Sequence, residues 1–313
     1  MNRLLWVCVF SLLVTVGFAQ QDPQFSFNMF NQLSYNPGFA GSNDAICVSS
    51  IHRQQWIGFE GRPMTTVFNG HAAINPMGIK SGVGLVIMQE KLGFQKNFVL
   101  NASYAYRAII GDGVLGIGLG LGLQNTAFNG DWVVPGPNPN PYDDPMVPRM
   151  ESRGSFDMSF GAFYKNNDNG FYAGISTTHL TEPKIKLESS TAPFIKRHYY
   201  IVTSYPIRLG NPAHELKPNI FIKSDLATTQ LTGNLTYEYN RKFWGGVSYN
   251  INDALTFMVG MNLNMGVSFG YAYDLGLSDI GSYNSGSHEL YVRYCFSLSM
   301  NKTPGRYKSV RFL

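Results

Sequence analysis

Hydrophobic residues alternate with small or polar residues along most of the chain after its first 44 residues. The clearest case runs from Leu115 to Leu123, where every second residue is Leu or Ile and each residue between them is glycine. Side chains of a β-strand point alternately to its two faces, so this segment would have one apolar face and one bare face. A helix would spread the glycines around its axis at a cost of roughly 1 kcal/mol each. The pattern therefore predicts a strand.

About fourteen segments of this kind follow one another, most with Phe, Leu, Val or Tyr on one face and Gly, Ser, Thr or Asn on the other. They lie near 45–55, 65–74, 81–90, 97–109, 113–126, 154–165, 169–178, 197–207, 215–225, 229–239, 242–250, 253–263, 265–275 and 286–297. Segments of this length and polarity are typical of bacterial outer-membrane barrels, which satisfy every backbone hydrogen bond in lipid. The sequence predicts an all-β, antiparallel transmembrane barrel of about fourteen strands over 45–298.

The lengths of the links agree with an even number of strands. Links after even-numbered strands are short, as at 110–112 and 240–241, whereas the long links 127–153, 179–196 and 276–285 all follow odd-numbered strands. Outer-membrane barrels have short periplasmic turns and longer outer loops. Both ends of the barrel chain are therefore expected on the periplasmic side.

The first residues have the composition of a secretory signal peptide. A basic Arg3 precedes an apolar run over 4–16, and small residues lead to a cleavage point that we place after Ala19. The alternative is an uncleaved anchor helix, which the short apolar run disfavours because a span needs about 20 apolar residues. We expect residues 1–19 to be removed and the mature protein to be exported.

Both flanks of the predicted barrel differ from it in composition. Residues 20–44 are polar and aromatic without a clear period, and we interpret them as an N-terminal plug or packing segment. Residues 299–313 form a basic periplasmic tail, with two interpretations open: docking on a periplasmic partner or peptidoglycan, or a solvated tail. The basic residues of the tail are Lys302, Arg306, Lys308 and Arg311.

The cysteines permit one disulfide in the mature chain. Cys8 leaves with the signal peptide, whereas Cys47 opens the first predicted strand and Cys295 nearly closes the last. The first and last strands of a closed barrel are neighbours, which gives the hypothesis of a disulfide across the seam. The alternative is that both cysteines are small hydrophobic residues without a bond.

The histidines suggest no metal or catalytic site. They are His52, His71, His179, His198, His214 and His288, and none shows the sequence spacing of metal ligands. Ser287, His288 and Glu289 are adjacent, but neighbours on a strand point to opposite faces and cannot form a relay. A barrel hydrolase using His71 with a distant serine stays open as a minor alternative.

Two further motifs have simpler explanations than ligand binding. Gly111–Gly116 matches GxGxxG, but dinucleotide binding needs a helix after the glycines, and a strand is predicted here. Asp143 and Asp144 lie in a Pro- and Asn-rich link, where a solvated loop is a simpler interpretation than a calcium site. A net charge of +4 is too small to suggest a nucleic-acid partner. We predict no catalytic, cofactor or metal site.

Several stretches form long and specific motifs. Residues 21–42 read QDPQFSFNMFNQLSYNPGFAGS, and 51–59 read IHRQQWIGF. Further motifs are GRPMTT at 61–66, GSHEL at 286–290 and RYKSVRFL at the C-terminus. Together they resemble the PorP/SprF family of type IX secretion system membrane proteins from Bacteroidetes, and the resemblance covers essentially the whole mature chain.

The resemblance implies a non-enzymatic outer-membrane barrel that supports secretion or surface attachment of a partner protein. Such partners resemble large adhesins with a C-terminal sorting domain, and some support gliding motility. The expected contacts are this cargo, periplasmic secretion or motility components and outer-membrane lipid; the family implies neither cofactor nor catalytic residues, and the cargo-binding residues stay unassigned. The alternatives are a passive or substrate-specific porin and a membrane-embedded hydrolase. An inner face of mostly Gly, Ser, Thr and Asn favours a packed interior over a charge-lined pore.

Overall fold

The computed structural model of the protein describes residues 22–128, 151–183, 195–251 and 253–296. The predicted signal peptide, the Asp143–Asp144 pair and the basic tail lie outside these described residues. Among the described residues, no helix has the length and apolar composition needed to cross a membrane.

The described chain is built almost entirely from antiparallel strands. They are β1 (Ile46–Gln54), β2 (Met64–Ile74), β3 (Ser81–Leu92), β4 (Gln95–Ile110), β5 (Gly113–Phe128), β6 (Glu151–Asn166), β7 (Tyr172–Thr178), β8 (His198–Ser204), β9 (Ile207–Arg208), β10 (His214–Ser224), β11 (Thr229–Tyr239), β12 (Phe243–Asn250), β13 (Ala254–Asn262), β14 (Val267–Gly276) and β15 (Ser287–Phe296). One α-helical turn lies at Gln32–Tyr35, and 3-10 turns lie at Asn28–Phe30, Pro37–Phe39, Pro76–Gly78 and Asp279–Tyr283.

A proline interrupts one predicted strand without changing the architecture. The sequence predicts a single strand over 197–207, whereas the structure has β8 and then the two residues of β9. Pro206 lies between them and has no N–H to donate to a ladder. Both β8 and β9 pair with β10, so together they occupy one position in the barrel.

The sheet closes on itself. Apart from β8 and β9, which both pair with β10, each strand pairs with its neighbours in sequence. The β1–β15 and β10–β11 pairings complete the ring. With β8 and β9 in one position, the ring has fourteen strands and presents no free edge. The prediction of a closed antiparallel barrel with a short N-terminal non-strand segment is confirmed.

The two faces of the wall have the polarity of a membrane barrel. Leu119, Leu121 and Leu123 of β5 point outward and are more than half exposed, while the glycines between them are buried. The inward faces carry buried polar residues, including Ser103, Asn219, Asn234, Thr256 and Ser268. A soluble protein places these classes the other way round. An apolar exterior around a polar interior is suited to hydrocarbon outside.

Residues 22–45, which we call the luminal segment, lie inside the barrel. Phe27 is fully buried and its ring packs edge-on against Trp244 of β12, while Tyr291 of β15 lies on another side. Further along, Leu33 and Tyr35 are also buried. Each of the three hydrophobic clusters among the described residues includes residues of this segment. The core of the protein is therefore the contact between the luminal segment and the wall.

A disulfide joins the first and last strands. Cys47 and Cys295 face each other directly in the β1–β15 ladder, their Cα atoms are 4.1 Å apart and their sulfurs are bonded. The hypothesis of a seam disulfide is confirmed. The bond lies at the end of the barrel where β1 begins and β15 ends.

We expect this disulfide to stabilise the barrel strongly because it joins residues 248 positions apart. In the chain-entropy model, closing a loop of this length contributes about 5 kcal/mol to the free energy of unfolding. The measurement is urea unfolding in detergent, followed by tryptophan fluorescence, for the wild type and for the double variant Cys47→Ser, Cys295→Ser.

Reduction provides the control. A phosphine reductant should lower the urea midpoint of the wild type to that of the double variant and leave the double variant unchanged. An equal midpoint for the oxidised wild type and the double variant would contradict the prediction.

Candidate functional site in the barrel lumen

The luminal segment runs from one end of the barrel to the other. Its first residue, Asp22, contacts His179 just after β7 and accepts a hydrogen bond from Lys223 near the end of β10. These strand ends lie on the side of the long links, which we call the long-loop end. Near the other end of the segment, the Gly41 N–H donates to His71 Nδ1 over 3.2 Å, close to where β2 ends. The segment therefore enters β1 from the short-turn end after crossing the lumen.

A buried charge cluster holds the segment near the long-loop end. Glu289 of β15 is fully buried, and its carboxylate accepts hydrogen bonds from the backbone N–H groups of Ser26 at 2.8 Å and Phe27 at 2.9 Å. Arg53 Nη1 lies 2.9 Å from Glu289 and 2.7 Å from Asp274. The Ser26 hydroxyl donates to Asp274 at 2.7 Å. One guanidinium thus serves two buried carboxylates, and the segment supplies the remaining donors.

The requirement for those donors follows from the charges. A carboxylate removed from water is costly unless it is paired and hydrogen-bonded. If the segment left the lumen, Glu289 would lose its two backbone donors and would share Arg53 with Asp274. The cluster is therefore built around an occupied lumen.

The glycine-rich face of β5 lies against the segment. A Cβ atom built on Gly118 would lie 2.4 Å from the Pro37 carbonyl carbon, and one on Gly116 would lie 2.2 Å from the Gly38 oxygen. On β3, a Cβ atom on Gly82 would lie 2.0 Å from the Ala40 oxygen. Only glycine lets the two backbones approach this closely. The bare face predicted from the sequence is thus the contact surface for the segment.

Asn36 fixes the turn that lies on these glycines. Its side-chain oxygen accepts the Gly38 N–H at 2.9 Å, which caps the 3-10 turn Pro37–Phe39. Its amide nitrogen donates to the carbonyl oxygens of Ala162 at 3.1 Å and Ile175 at 3.4 Å. The Asn36-Pro37-Gly38 turn predicted from the sequence is therefore attached to β6 and β7 through one side chain.

At the long-loop end, Asp22 belongs to a second cluster of ionisable groups. His179 Nε2 lies 2.7 Å from Asp22 Oδ1, His179 Nδ1 lies 2.7 Å from Asp157 Oδ2, and the Tyr200 hydroxyl donates to Asp22. Burial alone would lower the pKa of His179, but Asp22 and Asp157 raise this pKa to about 10. Burial alone would raise the pKa of Asp22, but His179 and its other polar neighbours hold this pKa well below its usual range. Both groups are therefore charged at neutral pH.

Three of the cavities that the luminal segment borders lie along the lumen. One of about 450 Å³ at the long-loop end has a largely apolar wall that includes Val86, Val99 and Phe221. One of about 310 Å³ lies beside residues 22–28 next to Arg53. A third, of about 370 Å³, lies toward the short-turn end; its charged lining residues are Lys165, Glu215, Lys217, Glu238 and Arg293. Because residues of the segment line all three cavities, the segment divides the lumen.

The other histidines considered as catalytic residues from the sequence, His71 and His288, lie apart from one another. His71 contacts the segment through Gly41 and Asn43. His288 Nδ1 lies 2.6 Å from the Tyr271 hydroxyl, whereas its neighbour Glu289 points into the barrel, as strand alternation predicts.

The GxGxxG match Gly111–Gly116 spans a turn and the start of β5, so its glycines precede a strand and not a helix N-terminus.

The structure brings together one group of potential metal ligands that their spacing in the sequence did not reveal. Asp22, His179 and His198 each place one ligand atom within 4.8 Å of the others. Asp22 belongs to the luminal segment, and the two histidines flank the link between β7 and β8. The only signal in the sequence was that both histidines lie beside the same long link.

Comparison with protein families gives one match over most of the chain. The family model described as the type IX secretion system membrane protein PorP/SprF matches residues 17–294. No curated protein matches the chain.

Comparison with solved structures finds several proteins that are similar to this chain at low sequence identity. A TodX deltaS2S3 mutant monoaromatic hydrocarbon channel is 10% identical, with 84% of this chain and 92% of that chain covered at a TM-score of 0.44. The translocator domain of the autotransporter NalP from Neisseria meningitidis is 12% identical, with 86% and 94% covered and a TM-score of 0.43. A mutant porin from Rhodopseudomonas blastica is 11% identical, with 80% and 99% covered and a TM-score of 0.34. Likeness at this level carries no information about what this chain binds.

The glycine contact predicts the effect of adding one methyl group. We expect Gly118→Ala to lower the free energy of unfolding by about 1–3 kcal/mol, because the new Cβ atom overlaps the backbone of Pro37 and Gly38. Urea unfolding in detergent, monitored by tryptophan fluorescence, measures this change.

Gly233→Ala is the matched control. Gly233 lies on the exposed face of β11, and a Cβ atom there meets nothing within 4 Å. This variant should unfold at nearly the wild-type urea concentration. Equal destabilisation by both substitutions would show that strand glycines matter for reasons other than the luminal segment.

Proposed function

This chain belongs to the PorP/SprF family of type IX secretion system membrane proteins, and we propose that it is a non-enzymatic outer-membrane barrel that supports secretion or cell-surface attachment of a partner protein. The partner is a secreted cargo with a C-terminal sorting domain, such as a large adhesin. The single observation that favours this over a transport pore is the luminal segment, which fills the barrel and supplies hydrogen-bond donors to buried Glu289.

The proposed orientation rests on the lengths of the links. The long-loop end, with the cavity of about 450 Å³, faces the cell exterior, where the loops and the mouth of the lumen hold the terminal domain of the cargo. The short-turn end faces the periplasm, where β15 ends beside Cys47 and the basic tail follows in the sequence. There the tail contacts components of the secretion or motility machinery.

Two features support the proposed outer-membrane location. The predicted signal peptide over 1–19 would direct export, and the apolar exterior of the barrel is suited to a lipid environment. Phe156, Phe160 and Ile175 are further large apolar side chains on this outer surface.

The alternative is a passive or substrate-specific porin. The cavities at both ends of the lumen favour it, since they need only be joined by movement of the luminal segment to make a channel. The two functions differ in what the resting barrel conducts.

Gene deletion tests the proposed role directly. We expect cells without the gene to make the cargo but to lose it from the surface, because the barrel that holds it is missing. Surface cargo is measured by antibody binding and protease accessibility on intact cells, and total cargo by immunoblot.

Complementation provides the controls for that experiment. The wild-type gene should restore display, and a gene lacking residues 299–313 should restore the barrel but not display, because the proposed periplasmic contact is lost. Cargo that stays on the surface of deletion cells would refute the proposed function.

Conductance distinguishes the porin alternative. We expect wild-type protein in planar bilayers to conduct poorly and Arg53→Ala to conduct more, because removing the guanidinium leaves Asp274 and Glu289 buried without a cation. Breaking a buried pair in this way costs about 3–5 kcal/mol, and release of the luminal segment would let water reach these carboxylates.

Arg208→Ala is the control, since Arg208 is largely exposed and lies 4.0 Å from Glu215 in a surface ion pair. Its conductance should equal that of the wild type. Large, open conductance from the wild-type barrel itself would favour the porin.

A further inference from the structure

Three potential metal ligands meet where the luminal segment begins. Asp22 contributes a carboxylate from the segment, His179 follows β7 and His198 opens β8. One ligand atom from each lies within 4.8 Å of the other two. The hydrogen bonds of the three side chains decide whether this grouping is suited to a metal.

His198 turns its Nε2 lone pair toward Asp22. Its Nδ1 lies 3.0 Å from the carbonyl oxygen of Lys196, and a carbonyl can only accept, so Nδ1 carries the hydrogen. Its Nε2 accepts the backbone N–H of Asp22 over a long 3.5 Å, so the lone pair lies on Nε2. A histidine that binds a metal commonly donates its other N–H to a carbonyl or carboxylate in this way.

His179 also has a partner on its Nδ1, but it is charged and carries a proton on Nε2 as well. Its Nδ1 lies 2.7 Å from Asp157 Oδ2. Its Nε2 faces Asp22 Oδ1 at 2.7 Å. The carboxylate–imidazole pair orients Nε2 toward the centre of the group and raises its basicity.

Asp22 is also oriented by its neighbours. The Tyr200 hydroxyl donates to Oδ2, and the Thr178 hydroxyl donates to the same oxygen over 3.3 Å, which leaves Oδ1 toward His179. The Lys223 ammonium donates to the backbone oxygen of Asp22 over 2.8 Å and so leaves the carboxylate free to face the two histidines.

From this arrangement we propose that Asp22, His179 and His198 bind a zinc ion. Two imidazole nitrogens and one carboxylate oxygen form a ligand set suited to zinc, whereas calcium and magnesium take oxygen ligands. Bonds of about 2.0–2.1 Å in tetrahedral geometry place the ligand atoms about 3.3 Å apart. His179 Nε2 and Asp22 Oδ1 need to separate from 2.7 Å to that distance, with zinc replacing the proton between them.

The zinc ion would join the start of the luminal segment to the wall. Asp22 lies on the segment, whereas both histidines flank one link of the barrel. Binding would therefore add a metal crosslink at the long-loop end, on the opposite side of the lumen from the Cys47–Cys295 bond at the short-turn end.

Titration of the purified barrel tests the site. Untagged mature protein in detergent, stripped with a chelator, is titrated with zinc chloride by calorimetry, and with cobalt chloride by visible absorption for tetrahedral coordination. We expect one equivalent of zinc, and at least a hundredfold weaker binding for His198→Gln and for Asp22→Asn, since each loses a ligand. His288→Gln, with its histidine far from the group, should bind like the wild type.

Hydrogen exchange of the wild type with and without zinc gives a second readout, which stays valid even if a variant fails to fold. Zinc should slow backbone exchange in residues 22–28 of the wild type and leave it unchanged in Asp22→Asn. Absence of a stoichiometric site in the wild type, or equal zinc affinity in the wild type and His198→Gln, would overturn the proposal and leave the Asp22–His179–Asp157 contacts as an ion-pair cluster.

Discussion

The whole structure depends on one constraint: a backbone surrounded by hydrocarbon has to satisfy its hydrogen bonds within itself. The ring of strands does so by closing through the β1–β15 ladder. Closure then fixes the polarity of the two faces, because the outer one meets lipid and the inner one does not. A ring of fourteen strands encloses more space than its own inward side chains fill, so the interior is left to another part of the chain.

The luminal segment meets that need through two different kinds of contact. On β5, glycines remove side chains from the wall, so that the turn at Pro37 and Gly38 can approach the strand backbone. Near the long-loop end, the wall instead presents charge, and Glu289 is satisfied by backbone N–H groups that only the segment provides. One contact depends on shape and the other on hydrogen bonding, yet both make the occupied lumen the stable arrangement.

The sequence predicts what is periodic and misses what is not. Alternation predicts the strands, their number and the inward direction of Glu289. An even number of strands in a closed barrel makes the first and last strands antiparallel neighbours, which brings Cys47 and Cys295 together. Neither predicts the path of the luminal segment, whose short turns have no period and whose position is set by contacts with distant strands. Alternation also does not predict the break at Pro206, since β8 and β9 on its two sides both pair with β10 and continue one strand position. Asp22, His179 and His198 escape a spacing rule since they meet only once the lumen is filled.

The attachments of the luminal segment are not of equal strength. The Arg53 cluster is the strongest, because losing the segment would expose buried carboxylates to a shortage of donors. The glycine contacts contribute packing over a short stretch, and the loss of such packing leaves no charge unpaired. At the long-loop end, Asp22 is more accessible than this cluster: its side chain is 23% exposed, whereas those of Arg53, Asp274 and Glu289 are at most 7% exposed. A partner that approaches from the long-loop end therefore meets the attachment at Asp22 before the more deeply buried Arg53 cluster.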